Sequence, residues 1–311
     1  MARFLISRAI SLFFVLFAVS FITFIIGYLA PGDPIFFLLG QHYTPALHAQ
    51  ISHAYGLDLP WWQQYYHFVV NALRGNFGYS YQYRDREVWE ILKPLIPTSM
   101  ELAGESLILA LLMGIPAGIF AALRQNTIFD TGINTIMLLL YIIPDFVLII
   151  IFQVLMVWLI VNQYPALPVA GWDSWQSRIG PVLIAASTSM GYYARLTRTA
   201  LLEVLGQDYI RTARAKGLQE RAVIGLHALR NASLPLITVI GPSLGYLVTG
   251  LYFAEVGFNI PGIAAISVNA IFQLDYPVIQ ATGLIFSAAV VVGNAISDIL
   301  YALADPRIKL G

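Results

Sequence analysis

Cysteine is absent from the 311-residue chain, which excludes disulfide frameworks, thiolate-held zinc, iron–sulfur clusters and thiol nucleophiles, and leaves the redox compartment unreadable. Charge is scarce as well. Only 11% of residues are Asp, Glu, Lys or Arg, against about a quarter in soluble domains, too few to keep a surface of this size wet. Lysine is the rarest of them: Lys93, Lys216 and Lys309 are all there are, and none follows a glycine, so a Walker A phosphate loop cannot be built. GxGxxG and HExxH are missing too. The five histidines offer no i,i+4 ligand pair, since His48 and His53 stand five apart on different helix faces; no metal site is expected. The 17 basic side chains balance 17 acidic ones, so nothing points to nucleic acid as a partner.

What is present is apolar. Hydrophobic residues make up 58% of the chain, with mean hydropathy +0.72, which reads as an integral membrane protein. A helix needs about 20 apolar residues to cross the hydrocarbon core. Six segments qualify: Ala9–Leu29, Ser99–Leu123, Ile133–Val161, Ile179–Leu202, Leu236–Ala254 and Val278–Leu303. The first reads as a retained anchor. Its apolar run exceeds a signal peptide's ~7–15-residue core, and Tyr28-Leu29-Ala30 is a poor cleavage site.

Lys and Arg set the orientation. Twelve of them (Arg3, Arg8, Arg124, Arg195, Arg198, Arg211, Arg214, Lys216, Arg221, Arg230, Arg307 and Lys309) lie on one side. Arg74, Arg84, Arg86, Lys93 and Arg178 lie on the other. The positive-inside rule therefore puts both termini and the segment between spans four and five in the cytoplasm. The long outer segment, Pro31–Pro97, contains a helix candidate at Thr44–Ala54 and an aromatic cluster, Trp61, Trp62, Tyr65, Tyr66 and Phe68, at helical spacing. It is expected across the outer mouth of the bundle or as an aromatic belt.

Glu203–Pro235 is a polar, basic interruption between two spans. Within it Ala213 and Gly217 stand at i,i+4, a nearly bare helical face flanked by Arg211, Arg214 and Lys216. Such a face lets another protein's backbone approach closely while the charges steer it; the alternative is a basic loop held by anionic lipid.

Four acidic residues are candidates for a translocation path. Asp145, beside Pro144, falls near mid-membrane, where charge is costly and marks function by default; a bond to the carbonyl that Pro144 frees is the packing alternative. Glu101 and Glu105 share a face at the outer end of span two, and Glu255 ends span five on the same side. Together they read as an acidic mouth for cationic groups, or as interfacial carboxylates. Asp298 is a further acidic residue, within span six. Gly241 and Gly245, and likewise Gly114 and Gly118, form small-residue strips for helix packing. Gly241-Pro-Ser243-Leu-Gly245 also matches the GxSxG nucleophile elbow, but no histidine follows His227, so a serine hydrolase is disfavoured.

The stretch Asp208-Tyr209-Ile-Arg-Thr-Ala213-Arg-Ala-Lys-Gly217-Leu, followed by His227-Ala-Leu-Arg230-Asn231-Ala-Ser-Leu234-Pro235, resembles the EAA loop of ABC importer permeases. More narrowly, the chain resembles the dipeptide/oligopeptide/nickel permease family, on the subunit with the large first extracytoplasmic loop. Ala30-Pro31-Gly32-Asp33-Pro34, Gly56-Leu57-Asp58-Leu59-Pro60, Arg74-Gly75-Asn76-Phe77-Gly78-Tyr79-Ser80, Arg195-Leu-Thr-Arg198 and the ending Asp298–Arg307 carry the same likeness, in order, along the whole chain. Departures include Arg211-Thr212 for Glu-Ala, Ala232 for Ile, Glu255-Val-Gly257-Phe258 for Glu-Thr-Val-Phe, and an unusually aromatic Gly191-Tyr192-Tyr193. The last two would alter the passage lining.

The resemblance implies an all-α, six-span fold of the type I ABC importer permease, with both termini cytoplasmic. Residues 1–95 would be the first transmembrane helix plus the outer loop, and 96–305 the core transmembrane domain with its coupling loop at 203–235. It further implies a multi-pass protein of a prokaryotic inner membrane. A second homologous permease, two cytoplasmic ATPases that use ATP and Mg, and an extracytoplasmic binding protein would be its partners, in contact with membrane lipid. The chain itself would bind no cofactor and catalyse nothing, importing peptides as the expected cargo. Tyr209, Arg211, Ala213, Arg214, Lys216, Gly217 and Leu218 would couple to the ATPase. The competing reading, a gradient-driven secondary transporter, would need inverted repeats and paired broken helices; no internal duplication is visible.

Overall fold

In a computed structural model, described at residues 2–30, 32–39, 42–83, 86–240, 243 and 251–304, the chain is a series of helices. They run α1 (Ala2–Leu29), α2 (Pro34–Leu39), α3 (Pro45–Ala54), α4 (Trp61–Leu73), α5 (Val88–Leu92), α6 (Leu95–Leu123), α7 (Ile128–Ile142), α8 (Asp145–Val161), α9 (Trp175–Leu205) and α10 (Asp208–Ala215). Then follow α11 (Glu220–Ala232) and α12 (Leu234–Ile240), α13 (Tyr252–Gly257), α14 (Ile263–Phe272) and α15 (Tyr276–Ala304). The middle of α11, Val223–Ala228, is a π-helical turn. Among the described residues the only β-type pairing is one bridge, Tyr79 to Glu87.

Three helices are long and apolar enough to cross a membrane among the described residues, and up to five crossings result if each sharply bent pair is one span. The expected third span, 133–161, is not one helix. It breaks at Ile143–Pro144, and α7 and α8 meet at 103°. The cause is local: a residue before proline is pushed out of the helical region, and Ile143 sits at φ −68°, ψ 123°. Of the expected fifth span, residues 241, 242 and 244–250 lie outside the described residues, and with them Gly241 and Gly245. The ending 305–311 lies outside them as well.

The chain divides into two compact units, one of residues Ala2–Ser99 with Pro261–Val291, the other chiefly Met100–Ile260 with Val292 onward. In the first unit, Thr44 caps α3 by accepting from the Leu47 amide, and Pro45 fills the first helical position. Tyr65 of α4 packs into α1: its ring lies 5.2 Å from Phe24 and 5.3 Å from Phe21, and its hydroxyl is 3.0 Å from that of Ser20. Val88, Leu92, Ile263, Ala270, Val278 and Ala281 form the apolar centre. Asp275, 1% exposed, binds the 80–82 loop by accepting from the Ser80 hydroxyl and from the amides of Tyr81 (3.1 Å) and Gln82 (3.3 Å).

In the second unit α9 is central. Ser174 and Ser177 close a reciprocal capping box at its start, and about half of its residues are buried, packed among α6, α7, α8 and α13. Gly114 and Gly118 lie where α6 meets it. A Cβ on Gly114 would stand 2.6 Å from the Met190 carbonyl oxygen, and one on Gly118 would collide with that of Ala194. At the base of α7, Arg198 grips Asp130 with two bonds of 2.7 and 2.8 Å.

Candidate functional site

The basic interruption folds as a short amphipathic helix followed by a turn. Asp208 opens α10 and Arg214 lies in its last turn, each sign suited to its end of the helix dipole. Ile210 and Ala213 face inward and join Leu201, Val223, Ala228 and Ala232 in a small apolar core. Tyr209, Arg211, Thr212, Arg214, Lys216 and Leu218 are exposed. One face thus anchors the helix to the chain, and the other carries cations, a phenol and a leucine outward. Arg214 bonds Glu220 at 2.6 and 3.1 Å, tying the end of α10 to the start of α11 and holding the Glu220 carboxyl below its ordinary range. The amide of Asn231 donates to the Tyr209 hydroxyl at 2.9 Å.

The bare face expected from Ala213 and Gly217 does not form. The helix stops at Ala215, Lys216 is its cap, and Gly217 turns the chain at φ +78°, a left-handed conformation natural to glycine. Ala213 is 7% exposed and faces the chain's own core. The i,i+4 spacing assumed an unbroken helix, whereas Gly217 ends it.

Of the four carboxylates, Glu101 and Glu105 share one partner. Arg178 bonds both Glu101 (3.1 Å) and Glu105 (3.0 Å), and its guanidinium lies 4.6 Å from the Trp172 ring centre. The Trp172 indole also donates to Glu101 at 3.4 Å. The expected acidic mouth is therefore two carboxylates pinned by a cation and an aromatic ring. Sequence reading missed Arg178 because more than 70 residues separate it from either Glu. Glu255 is fully buried in α13, so it lines no open mouth.

Asp145 is the first residue of α8, at the break after α7. Its partner is not the carbonyl freed by Pro144: Thr188 of α9 donates to its carboxylate at 3.1 Å. One helical turn along α9, Tyr192 stacks on Tyr141 with centroids 6.5 Å apart and planes at 27°. A further turn along, the Arg195 guanidinium lies 5.3 Å from the Tyr141 ring centre. Thr188 and Tyr141 gave no signal in the sequence, since only the fold pairs the break with this face of α9. Gln153, inside apolar α8, donates to the carbonyls of Gly257 (2.7 Å) and Val169 (3.2 Å).

Ser243 has no catalytic setting. Its hydroxyl donates to the Val239 carbonyl at 2.7 Å and accepts from the Tyr193 phenol at 2.8 Å. No cluster of three or more metal-ligating side chains occurs among the described residues.

Residues 114–310 match the family described as binding-protein-dependent transport system inner membrane component. Residues 1–103 match the N-terminal part of binding-protein-dependent transport system membrane components. The chain is 37% identical over 318 residues to the di/tripeptide transport system permease protein DppB of Pseudomonas aeruginosa, with 94% of each chain covered. It is 35% identical to the dipeptide permease DppB of Lactococcus lactis along the full length of both. With the oligopeptide permease AppB of Bacillus subtilis it shares 36% identity, over 99% of this chain and all of the other. Likeness that runs nearly end to end through both family regions places the chain among the binding-protein-dependent transport system inner membrane components, as a membrane permease subunit and not an enzyme.

Proposed function

We propose that this subunit forms half of the passage of an ATP-driven importer of short peptides. The observation that carries the cargo is that relatives named for dipeptides, di/tripeptides and oligopeptides match along nearly the whole chain. In this reading the chain crosses the membrane six times: α1, α6, the α7–α8 pair, α9, the stretch from α12 to α13, and α15. With 31 residues α9 is about 46 Å long, more than the core requires. Its modest hydropathy suits a helix covered by protein instead of lipid. Both termini and α10 face the cytoplasm, following the distribution of Lys and Arg. Residues 1–95 form the anchor and outer segment, and 96–305 the transporting core.

A second permease completes the passage, two ATPases hold the ATP and Mg, and an outer binding protein delivers cargo. The exposed side of α10 (Tyr209, Arg211, Arg214, Lys216 and Leu218) seats in an ATPase groove, with Gly217 and Ala213 shaping its end and its inner side. The Ile210–Ala213 anchor supports this role, because it links α10 to α9 and α11 as one body, as transmission of ATPase closure requires. The test is uptake of radiolabelled di- and tripeptides by cells lacking the gene, with and without the plasmid-borne chain. Restored uptake, with a second permease and ATPases in the affinity-purified complex, is expected; purification of a folded chain that never associates with them would sink the reading.

A further inference from the structure

The α7–α8 break and the facing side of α9 hold a set of groups that the architecture alone does not require. Thr188, Tyr192 and Arg195 follow one another at i, i+4 and i+7, so they share one side of α9. Asp145 bonds the first, Tyr141 stacks on the second, and the guanidinium of the third lies 5.3 Å from the centre of that same Tyr141 ring. Tyr141 and Tyr192 are 40% and 39% exposed, Arg195 is exposed and Asp145 is half-buried. Among the described residues Asp145 has no cationic partner and Arg195 no anionic one, and they do not reach each other. Seven residue steps along α9 separate the two ends of the row, about 10 Å. Charges placed so among apolar helices do not face lipid; they face a polar interior or a passing ligand.

We propose that Asp145, Tyr141, Tyr192 and Arg195 form a transit site for a zwitterionic peptide of about three residues, its amine at Asp145 and its carboxylate at Arg195. Three extended residues span about 10 Å, which matches the row. A guanidinium suits a carboxylate by its fork geometry, and a carboxylate beside aromatic faces suits an ammonium. The stacked tyrosines between the ends give side chains of any sequence an apolar, tolerant surface. The aromatic Tyr192, unusual against the family pattern, gains a purpose here.

This inference rests on the peptide-importer reading and is tested in the complete purified importer in proteoliposomes. Uptake of tritiated trialanine is measured alongside ATP hydrolysis stimulated by the loaded binding protein. Asp145→Asn and Arg195→Gln should each lower peptide imported per ATP hydrolysed about tenfold while stimulation persists. Asp145→Glu and Arg195→Lys should stay within about threefold of the unmodified importer. A photoreactive p-azidophenylalanine at position 192 should label with trialanine during turnover, and less so when Asp145→Asn is added. Unchanged import per ATP in both neutral variants overturns the transit site and leaves the importer reading standing. Loss of ATPase stimulation in step with import also overturns it, because the residues would then only support the fold. No trialanine uptake by the unmodified importer overturns the peptide reading itself, and this site with it.

Discussion

Asp275 is a single side chain on which a whole loop depends. It is enclosed and accepts three bonds from residues 80–82, and Ser80 is itself fully buried. Asp275→Ala takes the acceptor from the buried Ser80 hydroxyl and from the Tyr81 amide, while the Gln82 amide keeps the Ser80 oxygen at 3.2 Å; the cost is about 1–3 kcal/mol for each group left unsatisfied. Ser80→Ala removes the donor to Asp275 and the acceptor of the Tyr83 amide (2.9 Å), while the Tyr81 and Gln82 amides keep Asp275. Tyr83 is exposed, so water can replace its lost partner and the cost should be about 1 kcal/mol. Thermal unfolding in detergent should therefore rank Asp275→Ala well below Ser80→Ala; equal midpoints would show that the clamp carries nothing. None of this was legible in the sequence, because Asp275 lies nearly 200 positions from the loop it holds. The glycines of α6 were more legible: Gly114 and Gly118 stand at helical spacing in an apolar run, and that spacing marks them for close approach. Gly118→Leu should block folding, since the Ala194 backbone occupies the space its side chain needs.

At the scale of elements, α10 is the segment to probe. Replacing Gly217 would strain a left-handed residue whatever it touches, so it is a poor test of docking. Tyr209→Glu and Leu218→Glu change exposed side chains and should leave the fold intact while lowering substrate-stimulated ATP hydrolysis and uptake by at least tenfold. The rival basic-loop reading expects these to be mild and Arg211→Gln with Lys216→Gln to be severe; the ATPase assay separates them. The Arg214–Glu220 pair adds a pH dependence. Because Glu220 is held below its ordinary value, its contribution is complete above the usual carboxylate range and fades as pH falls through that range toward the depressed value. The pair is exposed, so the effect is small. Glu220→Gln at neutral pH should reproduce the loosening seen in acid, read as faster deuterium uptake in residues 208–222 after correction for intrinsic rates. The basic charge of this segment was plain in the sequence, but its inner side was not. Ile210 and Ala213 become an anchor only once Val223 and Ala228 fold back onto them.

For the whole molecule, hydropathy marked six segments, where the described residues give three helices long and apolar enough to cross a membrane, or up to five crossings with the bent pairs, and it failed at geometry. It averages over 133–161 and is blind to the turn that Pro144 imposes. It also undervalues α9, whose neighbours are helices. Family membership was legible because several short motifs recur in order, whereas the pairing of Arg178 with two glutamates was not, being a property of packing. Orientation is open to direct measurement in a chain without cysteine. Leu73→Cys should react with an impermeant maleimide in intact cells, and Gln219→Cys only after permeabilisation; the reverse would invert the topology and move α10 away from any ATPase. The purified chain alone should hydrolyse no ATP, having no phosphate loop, and turnover by it free of partners would contradict the subunit role.

The π turn at Val223–Ala228 has a consequence for how this protein tolerates changes in length. Deleting a residue from an ordinary α-helix rotates everything beyond it by about 100°. A π turn closes i→i+5 and so already carries one residue more than the surrounding helix needs. Gly225 lies within it, exposed, with open space where a side chain would be. Excising Gly225 should convert the turn to α-helix and keep both flanks in phase, and the importer should still work. Excising Thr212 from α10 should turn Ala213 out of its core and abolish transport. The molecule thus stores a spare residue in the segment between its basic helix and its next span, where a frame-preserving loss of one codon would be absorbed.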